Sequence, residues 1–531
     1  MPNLPKIFTA TADENGIAHL NVDDPGLYTV QASIDSCLSD TDTVDITIQH
    51  ASYTATNPFI TFTIKSVQGN TITITDGTTT LTKMASGNPD TWYIPNTGTW
   101  TVSTVIEGET KSKTINATQY TNYSASLLPV TFVTRTVDFS AGTSTLDESE
   151  GLISEMAPFI GRRRCNLADD GTINAWYGDA NYAEDGSNGQ VMVYQPKFYY
   201  KVTPITLDGV KIRKASWSIA DNEMDGYKLH PWFYDEDGNE IDYAFLSAYE
   251  GCVYDTSAST YDKTDSITHD YTVGTGDKLS SIADTKPASG YNRSLTRANA
   301  RILASNRGAG WHQYGIMSAS ANQMLMWVEY GGDMQTLIGR GVVDLSSGSY
   351  NGSSITGSTS SLGNTTGRAS TTYNSTSGTG SRTAYTTDGK TSITYRGMEN
   401  PYGNIYDFVD GINMYGNQPY ICTNYNWAES TSSGDYVSCG FTLPSSNYIT
   451  AFGYNATYDW LLLPAESSSS GNSLIGDYTY TSTSSSYYIA YLGGYWSSAS
   501  HAGAFFWSLA YSVDYSARAF GARTTYIPQS I

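Results

Sequence analysis

From residue 59 the chain alternates between apolar and hydroxyl side chains: Ile60, Phe62 and Ile64 are spaced by Thr61 and Thr63, and Ile72 and Ile74 by Thr73, running into Asp76-Gly77. A period of two places one face of a strand in a core, and Asp-Gly is a tight-turn signal, so a hairpin is predicted here. The stretch GTWTVSTV beginning at Gly98 echoes GLYTVQAS beginning at Gly26. This internal repeat predicts tandem β modules: residues 1–54 as a half repeat cut short at its N-terminus, and 55–128 as a complete β-sandwich.

Beyond residue 129 the pattern changes. QVMVYQPKFYYKV at 190–202 predicts a half-buried strand pair. DEDGNE at 235–240 predicts a hairpin with a type I′ turn, because Gly238 directly follows Asp237 and so misses the glycine position of a calcium-binding EF-hand loop. Two helices carry start and stop signals, one from Thr296 as N-cap to Gly308, the other from Ser318 to Gly331. In the second, Ala321, Met324, Leu325 and Val328 fall on one face, which reads as core. His312, beside Trp311, reads as a packing residue. Residues 345–394 are so rich in Gly, Ser, Thr and Asn that a long surface insertion is expected, and Ser-rich runs at 467–470 and 481–486 look like loops.

Composition then narrows the function. With 51 acidic against 29 basic residues and a net charge of −22, nucleic acid and anionic membrane surfaces are excluded as partners, since both require clustered cations. The 42 tyrosines among abundant Ser, Thr and Gly suit polar, aromatic contact surfaces, so binding comes before catalysis. Five cysteines show neither CxxC spacing nor a His-Cys cluster, so no metal and no cofactor is expected. Most read as free buried thiols, and only Cys422 and Cys439 are close enough in sequence for a loop disulfide. No apolar run reaches the ~18 residues of a membrane span, and the start lacks a basic region followed by an apolar one, so neither membrane insertion nor a secretory leader is expected.

The most specific segment is GMENPYGNIYDFVDGIN at 397–413. It resembles the GxENxxGNxxEWxxD signature of formylglycine-generating-enzyme-like domains, a branch of the C-type lectin fold. Glu399, Asn400, Gly403, Asn404 and Asp410 match, while Asp407 and Phe408 stand where that family usually has Glu and Trp. Their residue types suit a tight turn and loop-to-backbone hydrogen bonds, so these positions read as scaffold. The C-terminal stretch from Gly493 resembles the variable region of retroelement-diversified proteins, notably phage tail-tip proteins. Trp496, Trp507, Gly521 and Arg523 fall on its fixed skeleton, Arg523 and Arg518 reading as loop pins. Adenine-directed mutagenesis of Asn codons never yields Lys, Glu, Gln, Met or Trp, and between Tyr495 and Arg523 the first four are absent while both Trp lie on the skeleton. The candidate ligand-facing positions are Tyr495, Ser497, Ser498, His501, Phe506, Ser508, Ala510, Tyr511, Asp514 and Ala517.

The resemblance implies a multidomain chain: all-β, immunoglobulin-like N-terminal modules, then an α+β C-type-lectin-like domain over 129–531 with two helices, long loops, the 345–394 insertion and a variable region at 493–526. It implies a receptor-binding protein of a phage tail, or alternatively an adhesin of fixed specificity on a bacterial surface. The partners would be a bacterial surface protein or glycan at the tip and other tail or anchor subunits at the N-terminal modules, and a homo-oligomer would give multivalent display. An oxidase of the formylglycine-generating kind needs paired C-terminal cysteines for copper, yet the last cysteine is Cys439. No catalytic residue is expected; a polysaccharide-degrading activity through Asp407 and Asp410, one turn apart on a helix, is the weaker alternative. The calcium-ligand motifs of sugar-binding C-type lectins are missing from 397–531.

Overall fold

The computed structural model describes strands at 26–30, 33–34, 37–38 and 42–46, then residues 60–529 apart from 87–89, 95, 107–108, 119–121, 128–130, 266–273, 275, 294, 347, 373–382, 385–387 and 472. The chain is mostly β-sheet with few helices, and it divides into two compact units, Met1–Pro129 and Val130–Ile531.

In the first unit, Thr71–Thr75 pairs with Thr80–Met84 around Asp76-Gly77, as the alternation predicts. Asp76 Oδ1 accepts the Thr78 and Thr79 amides at 2.8 and 2.6 Å, while Gly77 takes φ +90°. These strands belong to a four-stranded sheet with Gly98–Ile106 and Glu109–Ala117, whereas Ile60–Lys65 lies in a three-stranded sheet with Asp90–Ile94 and Asn122–Ser126. Both sheets contribute to one core, with Phe62, Trp92 and Trp100 among its buried members, so residues 60–127 form a two-sheet sandwich. The repeated glycines each open a strand, Gly26–Val30 and Gly98–Ile106.

The second unit is organised around the helix Ile316–Tyr330. Trp327 stacks on Phe139 and meets Trp217, Phe452 and Phe505 edge-on, all within 6 Å between ring centroids. It thereby joins a five-stranded sheet holding Trp217 to a nine-stranded sheet holding Phe452. Burial extends right around this helix, so the single apolar face predicted from Ala321, Met324, Leu325 and Val328 is too narrow a description. The helix also begins before Ser318, which sits in its first turn and accepts the Gly315 amide at 3.0 Å; Gly331 ends it at φ +63°. In the shorter helix Arg297–Ser305, Thr296 caps the Asn299 amide as expected, but the C-cap is Asn306, so Gly308 lies one residue beyond C′, its amide closing a turn on the Ser305 carbonyl at 3.1 Å.

Three further expectations need correction. Gln190–Pro196 and Tyr199–Asp208 do not pair with each other: the first lies in a six-stranded sheet, the second in the five-stranded one. Around 235–240, Gly238 has φ +82° but Asp237 is not left-handed, so the turn is not type I′. Asp235 instead accepts the Asp237 and Asn239 amides, and a single bridge joins Tyr234 to Glu240. Third, the stretch 351–359 within the presumed surface insertion is core, with Ser353, Ser354, Thr356 and Thr359 fully buried; residues 373–382 lie outside the described residues. Cys165, Cys252, Cys422 and Cys439 are free buried thiols, without a Cys422–Cys439 bond.

The second unit also contains a buried histidine with a measurable signature. His230 packs against Phe198, Tyr200 and Trp460, and burial pushes its imidazole down from 6.5 to about 3. The unfolded chain takes up a proton at this histidine below 6.5 that the folded chain refuses, so the His230 contribution to stability is constant above that pH and falls as pH drops toward 3. The expected loss is about 1.4 kcal/mol per pH unit, roughly 2–3 kcal/mol by pH ~4.5. Urea titrations of wild type and His230→Gln across this range check it, the His230 contribution being read as the difference between the two.

Candidate ligand-binding face

The motif 397–413 folds into a buried polar lattice. Asn400 and Asn404 adopt φ +46° and +60°, and Gly403 φ +79°. A Cβ on Gly403 would lie 2.9 Å from the Val342 carbonyl oxygen, so both conformation and space select glycine. The Glu399 carboxylate accepts the amides of Gly357 and Thr359 and the Thr359 hydroxyl at 2.7–2.9 Å. Asn404 accepts the Ser354 amide at 2.6 Å and donates back to its carbonyl at 3.2 Å. These scaffold residues therefore staple down the polar stretch 351–359.

Asp407 and Asp410 lie on the strand Tyr406–Tyr415, not on a helix, and both are buried. Arg523 Nε meets Asp407 Oδ2 at 2.7 Å, and Arg523 Nη2 donates to the Glu399 and Asn400 carbonyls at 2.8 Å. Arg301 clamps both oxygens of Asp410 at 2.5 and 2.8 Å, tying the Arg297–Ser305 helix to the strand. The two carboxylates are thus committed to arginines, a poor arrangement for attacking a sugar. His312 stacks on Tyr425 at 4.5 Å with its Nε2 3.0 Å from Glu236. Among the described residues, no group of three or more His, Cys, Asp or Glu could hold a metal ion, and no helix is long and apolar enough to cross a membrane.

Above this lattice the C-terminal segment forms part of the nine-stranded sheet. Trp507–Ser512 runs antiparallel to Tyr487–Leu492 and parallel to Tyr478–Thr481. The preceding loop is held tightly. Asp477 accepts the Phe505 amide at 2.6 Å, and a Cβ on Gly503 would come within 1.9 Å of the other carboxylate oxygen. Burial, with Asp333 nearby, holds the Asp477 carboxyl well above its usual range. Gly503→Ala is therefore expected to cost about 2–3 kcal/mol by overpacking. A lowered urea midpoint checks this; an unchanged one would mean that Asp477 swings aside.

The ten candidate positions divide by burial. Asp514 is exposed, and Tyr495, Ser497, His501, Ala510, Tyr511 and Ala517 are partly exposed. Ser498 is buried, and Phe506 and Ser508 are wholly inaccessible, so these three shape the face from beneath instead of meeting a ligand. Trp496, Trp507, Gly521 and Arg523 are buried.

What joins the accessible positions is a run of aromatic contacts. Tyr406 stacks between Tyr495 and Phe520 at 5.4 and 5.0 Å. Phe506 bridges Tyr406 to Tyr480, and Tyr480 leads to Tyr478, which stacks on His501 at 4.2 Å. Tyr448 packs edge-on against Tyr478, while on the other flank Tyr511 stacks on Tyr515 at 4.3 Å. Tyr448, Tyr478, Tyr480 and Tyr515 were not singled out by sequence; the first three come from strands 447–481, and only sheet pairing brings them beside the segment. The stretch 397–531 contains no lysine, and its two arginines are Arg518 and the buried Arg523, so the face is built of rings and hydroxyls with little positive charge.

Compared with known proteins, the chain matches no family model and no curated sequence.

Proposed function

We propose that this chain is a receptor-binding protein that presents the aromatic face of its second unit to a bacterial surface protein or glycan. The observation carrying this reading is the convergence of Tyr495, His501 and Tyr511, from the segment resembling a variable region, with Tyr448, Tyr478 and Tyr480 into one partly exposed surface. Tyrosine rings supply contact area at low conformational cost, and the adjoining Ser and Thr hydroxyls supply adaptable hydrogen bonds. The arginine-locked carboxylates beneath support a rigid platform, and the reading assigns the protein no catalytic step.

In this proposal the second unit is a C-type-lectin-like domain, the sandwich is an immunoglobulin-like spacer that meets tail or anchor subunits, and the protein sits on a phage tail. The test is to sequence the gene and its surroundings in sibling isolates. Substitutions concentrated at codons 495, 497, 501, 510, 511, 514 and 517, beside a near-identical template carrying Asn codons, support it. A segment as constant as the helices removes diversification and favours the second reading, an adhesin of fixed specificity on the same scaffold.

A further inference from the structure

Away from the face, residues 262–290 and 351–353 bring a lysine, an asparagine and an aspartic acid together in the interior. Lys286, Asn351 and Asp265 are 1%, 4% and 2% exposed. Lys286 Nζ donates to the carbonyl of Ser353. The same Ser353 points its amide and hydroxyl at Asn351 Oδ1, at 3.1 and 2.7 Å. On the other side of the carboxamide, Asn351 Nδ2 lies 3.0 Å from Asp265 Oδ2 and 2.9 Å from the carbonyl of Pro287, the neighbour of Lys286. Asp265 is fixed by the Ser289 amide and hydroxyl at 3.0 and 2.6 Å and takes φ +54°.

Each part has a chemical counterpart in acyl transfer. An amine is the nucleophile; two donors on one carbonyl oxygen form an oxyanion hole; and a carboxyl group beside the amide nitrogen is placed to protonate a leaving group. We propose that Lys286 and Asn351 become joined by an intramolecular amide bond, formed when Lys286 Nζ attacks Asn351 Cγ and ammonia leaves. The Nζ–Cγ bond forms and the Cγ–Nδ2 bond breaks. Ser353 N–H and Oγ–H hold the negative charge on Oδ1 in the tetrahedral intermediate. Asp265 carries one proton from the attacking amine to Nδ2, which departs with its own two hydrogens. No oxidant or further reactant is consumed.

The environment favours the required protonation states. Burial pulls the Lys286 ammonium down to about 8 against the opposing charge of Asp265, and burial pushes Asp265 up to about 6 against its hydrogen bonds. Near neutral pH a fraction of the lysine is the free amine and a fraction of the aspartic acid holds its proton, while the lack of exposure keeps water from competing for the carbonyl carbon. The product is a covalent staple between two segments distant in sequence, suited to a protein displayed where unfolding exposes it to proteases.

Mass spectrometry of the denatured full chain and of its tryptic peptides tests the proposal. The expected result is a mass lower than the sequence mass by one ammonia, with a branched peptide linking Lys286 to Asn351, and the full sequence mass in Lys286→Arg and Asn351→Ala chains. A wild-type chain at its full sequence mass overturns the proposal, and so does loss of one water, which would place the bond on Asp265. Because the wild-type chain alone decides the outcome, poor folding of a variant does not blunt the test.

Discussion

Replacing Arg523 with methionine is expected to destabilise the second unit by about 3–5 kcal/mol, the cost of removing one partner from a buried ion pair. Arg523 is almost fully buried and serves four groups: Asp407, Glu250 at 3.5 Å, and the carbonyls of Glu399 and Asn400. Burial pulls its guanidinium down, but Asp407 and Glu250 outweigh this and raise it. Burial also raises the two carboxyls, Glu250 to about 8, even with the arginine opposing. Without the arginine both acids climb further and hold their protons in the folded state. A carboxyl whose folded value lies above its unfolded value contributes stability that disappears as pH rises, so the deficit of Arg523→Met should be larger at pH ~8 than at pH ~5. Urea titrations at the two pH values measure this. An equal deficit at both would show that the lost carbonyl contacts, and not the unpaired carboxylates, dominate.

The elements legible in the sequence were those set by chemistry within a few residues. Thr296 at a helix start, Gly331 at a helix end and Asp76-Gly77 in a hairpin each act on their own neighbourhood, and each does so in the structure. The stretch 351–359 was not legible, because its composition predicts disorder only if apolar burial is the sole source of order. Here Glu399 and Asn404, 40 to 50 residues away in sequence, provide the hydrogen bonds instead. The scaffold role of the motif could be read from its residue types, but what it holds could not. The same limit applies to the face: Tyr478 and Tyr448 belong to it only because of sheet order, and nothing near them in sequence marks that placement.

Burial separates Phe506 from the outer candidate positions, and it sets up the sharpest contrast among them. Phe506 is fully buried, in contact with the rings of Tyr406 and Tyr480, and its amide is tied to Gly503. Phe506→Ala removes a ring from beneath the aromatic surface and is expected to cost about 3–5 kcal/mol. Ser497→Ala and Asp514→Ala, at more exposed positions, should each stay within about 0.5 kcal/mol of wild type. Denaturant midpoints of the three variants, read beside ring-sensitive near-ultraviolet dichroism, provide the comparison. If Phe506→Ala is as mild as the other two, the rings above have repacked and the face is plastic. A severe loss confined to Phe506 means instead that the outer positions can be exchanged freely on a support that cannot, which is the property a binding surface needs if its specificity is to change without its fold.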